Sequence, residues 1–174
     1  MTKTKLATVA LPILMAAGLT ACAKPEAAKP ALDTAKIADT VRADIDALVS
    51  ELNAKDIDKA VAHDAPNIVG MFHGAPNINS PAEDKALTSQ QLKDTAFHLE
   101  TSNPSVDVAQ AGDMAVYRSN YSATFTDVKT NKQVSEVGNW VAIYKPQPDG
   151  SWKVVLNMIA DMAPAASAAA PEKK

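Results

Sequence analysis

The residues of this chain best suited to chemistry are three histidines, one cysteine and a small group of tyrosines, amides and carboxylates in the C-terminal half. No two of His63, His73 and His98 have the H-x-H or i, i+4 separation of zinc sites, so no metal is expected. The sequence has no GxSxG elbow, phosphate-binding loop or dinucleotide fingerprint, and no cofactor is expected either. Cys22 is the only cysteine, which excludes an intramolecular disulfide. What remains is polar side chains gathered by strand alternation. Tyr117, Ser119, Tyr121 and Phe125 fall on one face of an alternating run. Val155, Asn157, Ile159 and Asp161 share a face of the last run, and Asn139 points with Val137 and Val141. If these faces are concave they make an apolar pocket with a few polar groups, the usual composition of a small-molecule site. The pocket residues predicted in this way are Tyr117, Tyr121, Asn139, Asn157 and Asp161. Tyr117, Tyr121 and Phe125 read equally well as plain core. Asn157 can orient a ligand but cannot serve as a general base, which leaves His73 as the candidate base.

Those side chains need elements to hold them. Asp33 or Thr34 can cap a helix whose Ile37, Val41, Ile45, Leu48, Val49 and Leu52 form one apolar stripe. Asp56 can cap a second, short helix, and Ile68 to Phe72 is a short strand. Gly74 to Asp84 reads as a loop. A third helix is predicted from Thr88, with Gln91 completing a capping box and Leu92, Ala96 and Leu99 on one face. After Pro104 the period changes from helical to alternating. Val106 and Val108, then Met114 to Phe125, precede a long hairpin that turns at Pro146 to Gly150 and runs to Asp161. Helices first and hairpin-linked strands afterwards indicate an α+β fold, a curved antiparallel sheet covered by about three N-terminal helices.

The chain has 174 residues and a net charge of −3. Between Asp33 and Met162 there are 11 Lys or Arg against 18 Asp or Glu, a net of −7, so nucleic acid is not an expected partner. Lys3 and Lys5, an apolar run too short to span a bilayer, and small residues make residues 1–21 an export signal. Leu19, Thr20, Ala21 and Cys22 resemble the bacterial lipoprotein box. That resemblance implies cleavage before Cys22, its lipidation, and a membrane anchor facing the periplasm. Ala23 in place of Asp points to the outer membrane within that family's sorting pattern. Residues 22–32 then form a tether, 33–162 the folded domain, and 163–174 a tail with nothing to bury.

Three stretches in order resemble the ketosteroid isomerase-like, SnoaL-like superfamily, also named after nuclear transport factor 2. Leu52 to Ile57 is similar to its LNAxDI/L link, and Gly112 to Val116 to its GDxAxV turn. Gly138 and Trp140, followed by Asp149 to Val154, are similar to its closing GxW…DGxWKI hairpin. The resemblance implies a cone-shaped sheet with a pocket under its helices. It spans isomerases, dehydratases, cyclases and non-catalytic binding domains, so it implies no single reaction.

The expected function is a lipid-anchored envelope protein that binds a small apolar molecule without catalysis. An acid–base enzyme of the same fold and an envelope protein-interaction module are the alternatives. Ketosteroid-type isomerisation is not expected. The alignment sets Leu48 where the family has its tyrosine and Phe72 near the base position, with His73 one residue away. Glu136 is expected on the sheet face opposite the pocket. Apolar residues on both faces of the final hairpin predict a homodimer through the outer face of the sheet.

Overall fold

The computed structural model describes residues 32–162. The expected leader, the lipidation site Cys22, the tether up to residue 31 and the tail 163–174 lie outside them.

Helix α1, Thr34–Asn53, begins where Asp33 accepts a hydrogen bond from the Lys36 N–H at 3.0 Å. Its stripe of Ala38, Val41, Ile45 and Leu48 is buried. Asn53 then fastens the helix end to the sheet: its side chain donates to the Leu99 carbonyl and accepts from the Leu99 N–H, both at 2.8 Å. Asp56 caps the short α2, Ile57–Ala60, which runs through a 3-10 turn, Val61–His63, into strand β1, Asp64–Met71.

Helix α3 spans Pro81–Gln91, not the stretch from Thr88 that the sequence predicts. The N-cap is Ser80, which accepts from the Glu83 N–H at 3.3 Å, and Pro81 occupies the first turn, where a missing N–H costs nothing. Thr88 sits inside the helix, with its hydroxyl 3.5 Å from Asp84 Oδ1. Leu99 and His98, expected on a helix, belong to strand β2, His98–Val108. Pro104 lies inside β2 at an irregularity between Ser102 and Ser105, which an edge strand tolerates because the proline has no ladder bond to lose.

Strands β3, Ala115–Asp127, β4, Lys132–Pro146, and β5, Trp152–Asp161, complete a curved, open sheet of order β1-β5-β4-β3-β2. Consecutive strands from β2 to β5 pair antiparallel, as short hairpins dictate. The edge strand β1 pairs parallel with β5, since no hairpin joins them and nothing local fixes their relative direction. The helices and the inner sheet face enclose the core. Tyr117, Tyr144, Ile45, Ile68 and Val41 are its largest wholly buried side chains, and Tyr117 meets Trp140 edge to face with ring centroids 5.7 Å apart.

The facing of β4 follows from register. Tyr121 pairs with Gly138, and directly paired residues share a face. Glu136, Gly138, Trp140, Ala142 and Tyr144 therefore look inward, and Val137, Asn139, Val141 and Ile143 outward, the reverse of the expected assignment. Only glycine fits at 138: a Cβ there would lie 2.4 Å from Tyr121 Cε1 and 2.5 Å from the Ala160 carbonyl oxygen. The pairing of β4 with β5 shifts between Ile143 and Tyr144, where Leu156 and Val154 are the successive partners. This bulge at Val155 brings Val154, rather than Val155, onto the inner face with Asn157.

Candidate functional site

Between the helices and the inner face of the sheet lies a cavity of about 560 Å³. Leu48 and Leu52 of α1, Phe72 beyond β1, and Leu99, Phe125, Trp140 and Ile159 of the sheet are part of its apolar wall. Its carboxylates other than Asp94 stand at two poles. Along the sheet these are set by the Gly138–Asp161 and Tyr144–Val154 rows, six residues apart on β4, about 20 Å of strand.

At one pole Tyr121 on β3, itself 4% exposed, reaches two carboxylates. Its hydroxyl contacts Glu136 Oε1 and lies 2.9 Å from Asp161 Oδ1, and Asp161 Oδ2 is 2.7 Å from His73 Nδ1. Gly138, with no side chain, leaves the space in which the Tyr121 ring lies. Burial, then the two carboxylates, push the phenol's pKa up, so Tyr121 is a hydrogen-bond donor and not a phenolate. The His73 side chain is 76% exposed, which makes this the solvent-facing end of the site.

At the other pole Asp64 opens β1 and Asp84 stands in the first turn of α3. Both line the cavity. Asp64 Oδ2 is buried and has no hydrogen-bond partner among the described residues, and the Asp84 carboxyl lies beside it. A single proton held between the two carboxyls would satisfy both. Burial and the Asp84 charge raise Asp64 from 3.8 to about 7, and burial raises Asp84 as well.

Between the poles, Trp140 Nε1 donates to Asn157 Oδ1 at 2.6 Å. An indole N–H can only donate, so the amide oxygen faces it and the Asn157 NH₂ group is left for the cavity. Asp94 also lines the cavity but is occupied with structure. It accepts from the Thr126 N–H at 2.5 Å, the Thr126 hydroxyl at 2.9 Å and the Ala96 N–H at 2.9 Å, bonds that hold its pKa down.

Of the residues singled out from sequence, Tyr121, Asn157, Asp161 and His73 come together on the cavity wall. Tyr117 is 1% exposed and packed in the core, away from the wall. Asn139 is corrected: it lies on the outer face, where its amide oxygen accepts from Asn120 at 3.0 Å. Glu136 is corrected in the other direction, from the outer face to the cavity. That weakens the sequence argument against isomerase chemistry in one of its three parts. Leu48 and Phe72 do line the cavity and bring no donor or base to it.

His63 lies elsewhere. Its Nδ1 is 2.8 Å from Asp44 and its Nε2 2.8 Å from Glu51, while Tyr144 donates to Asp44 at 2.9 Å. Burial opposes a charge on this ring, but the two carboxylates outweigh it and raise the pKa. The ring, with a carboxylate at each nitrogen, ties α1 to the turn before β1. Among the described residues no group of three His, Cys, Asp or Glu is placed to hold a metal ion. The sequence signal for Asp64 and Asp84 was absent: an acid in a first helical turn reads as a complement to the helix dipole, and twenty residues separate the two.

No protein-family model matches the chain, and no curated protein matches it by sequence. Solved structures do share its architecture. A nuclear transport factor 2 superfamily protein from Salmonella enterica superposes with a TM-score of 0.65 at 12% identity, over 79% of this chain and 99% of that one. A ketosteroid isomerase-like protein from Erwinia carotovora gives 0.61 at 19% identity, covering 72% and 96%. A nuclear transport factor 2-like protein with a cystatin-like fold from Novosphingobium aromaticivorans gives 0.61 at 17%, covering 75% and 84%. The chain therefore has the nuclear transport factor 2-like, ketosteroid isomerase-like fold, the α+β cone that its motifs resemble.

Proposed function

We propose that the protein is a lipid-anchored envelope protein whose domain holds a small molecule with an apolar body and does not turn it over. The observation that carries the binding reading is the cavity of about 560 Å³, apolar along its length with polar groups at defined points, which is the size and make-up of a small-molecule site. Titration of the purified protein with a neutral solvatochromic dye, read by energy transfer from Trp140 and Trp152, tests it. Saturable one-to-one binding that Ala142→Phe abolishes is expected; no saturable binding in the folded protein refutes it. Cys22→Ala is expected to move the protein out of the membrane fraction, and a wild type found freely soluble refutes the anchor. The outer face, where Val137 is 45% and Met158 37% exposed, supports a homodimer through the sheet. A strict monomer on sedimentation at high concentration refutes that.

One observation favours the second reading, an acid–base enzyme. A carboxyl in the cavity with a pKa of about 7 is tuned for proton transfer at neutral pH. In that case Asp64→Asn removes turnover and leaves ligand binding in place.

A further inference from the structure

We propose that the ligand is an organic cation, its ammonium group held between Glu136 and Asp161 against the Tyr121 ring and its apolar body running into the cavity. The inference rests on the binding reading and adds the charge of the ligand.

Among the described residues, five carboxylates line the cavity against a single histidine, with no Lys or Arg in the wall. Three of the five are accounted for. Asp94 accepts three hydrogen bonds from Thr126 and Ala96, and Asp64 and Asp84 stand beside each other at the far pole. Glu136 and Asp161 are not. Both point an oxygen at the same phenol, and a phenol has one proton to give. If Tyr121 donates to Glu136, Asp161 Oδ1 stands 2.9 Å from an oxygen with nothing left to donate. If it donates to Asp161, Glu136 has no other hydrogen-bond donor among the described residues. His73 serves only the second oxygen of Asp161. The described residues therefore leave at least one of these carboxylate oxygens to water or to a ligand. A protonated amine brings up to three donors, with a charge of the right sign.

The surroundings suit the same guest. Tyr121, Phe125, Phe72 and Trp140 are in the cavity wall, and aromatic faces attract a cation once water is displaced. A carboxylate or phosphate ligand would bring a further negative charge beside two already present. The net charge of −7 between residues 33 and 162 also draws cations toward the protein at a distance.

The test uses three probes that share one ring: 1-naphthylmethylamine, 1-naphthylmethanol and 1-naphthoate, titrated calorimetrically into the full-length protein at neutral pH. The amine is expected to bind at least about tenfold tighter than the alcohol, with the carboxylate weakest. That preference should shrink as salt is raised from about 0.02 M to about 0.5 M. It should also fall to about twofold or less in Glu136→Gln combined with Asp161→Asn. Should the double variant not fold, Glu136→Gln alone is expected to reduce it. Equal or tighter binding of the alcohol overturns the charge assignment and leaves the binding reading standing. An amine preference that survives both substitutions and high salt overturns the assignment to Glu136 and Asp161. If none of the three binds, the binding reading falls and this inference with it.

Discussion

Asp64→Asn should stabilise the protein at pH 8 and leave it nearly unchanged at pH 5. The unfolded carboxyl releases its proton near 3.8, whereas the folded one keeps it to about 7. Between those values the native state binds more protons than the unfolded state, so stability falls as pH rises through the window and the loss is complete above it. At about 1.4 kcal/mol for each tenfold change in proton affinity, the loss is roughly 4 kcal/mol. Solvent still reaches part of the Asp64 side chain, and water screens charge, so about 2 kcal/mol is expected. An asparagine amide replaces the shared proton with an N–H that donates to Asp84 at any pH, which removes the cost. Thermal unfolding of wild type and variant at both pH values reads this directly. A gain of roughly 5–10 °C in Tm is expected at pH 8 for a domain of this size, with little change at pH 5. An equal gain at both pH values, or a loss at pH 8, would show that the carboxyls do not share a proton in the way described.

Gly138→Ala should destabilise by about 2–4 kcal/mol in denaturant unfolding, because its Cβ would collide with the Tyr121 ring and the rigid Ala160 carbonyl. Asn53→Ala should cost about 2–3 kcal/mol by the same measurement, since both the N–H and the carbonyl of Leu99 lose their partner at the junction of α1 with β2. His63→Ala should destabilise more at pH 5 than at pH 8. The ring's folded pKa is raised by Asp44 and Glu51, so its contribution is full below the ordinary value of 6.5 and is lost as pH rises through the folded value.

Much of the frame was legible because its signals are local. Asp33 and Asp56 announce their helices by residue type and by the apolar stripe that follows, and the Asp149–Gly150 turn announces the last hairpin. The third helix was misplaced by a local signal as well. Leu92, Ala96 and Leu99 happen to be spaced like a helix stripe, and the true start, Ser80-Pro81 with Glu83 beyond, was hidden in a run rich in loop residues. The facing of β4 was not legible at all. Both of its alternating sets are apolar, so periodicity gave no way to choose between them, and the choice depends on which residue stands opposite Tyr121. The candidate site suffered most from this, because one step of register exchanges Asn139 for Glu136. The Asp64–Asp84 pair and the bulge at Val155 are products of tertiary packing, with no pattern in the chain to mark them.

The position of β5 gives the sheet an order of assembly. Of the five described strands the one synthesised last lies between β1 and β4, and Asp64 and its partner Val154 are 90 residues apart in the chain. Until β5 arrives, β1 has no described strand beside it, only the isolated Gly70–Ile78 bridge and its packing against α3. Closing so long a loop is slow, so folding should be limited by this final insertion and not by the hairpins. The same strand carries Asn157, Ile159 and Asp161 into the cavity wall. Cavity and sheet are thus completed in one event, and a ligand can add its binding energy only to chains that have finished folding. A chain interrupted before Trp152 would have three antiparallel strands, an unpaired β1 and no binding site to rescue it.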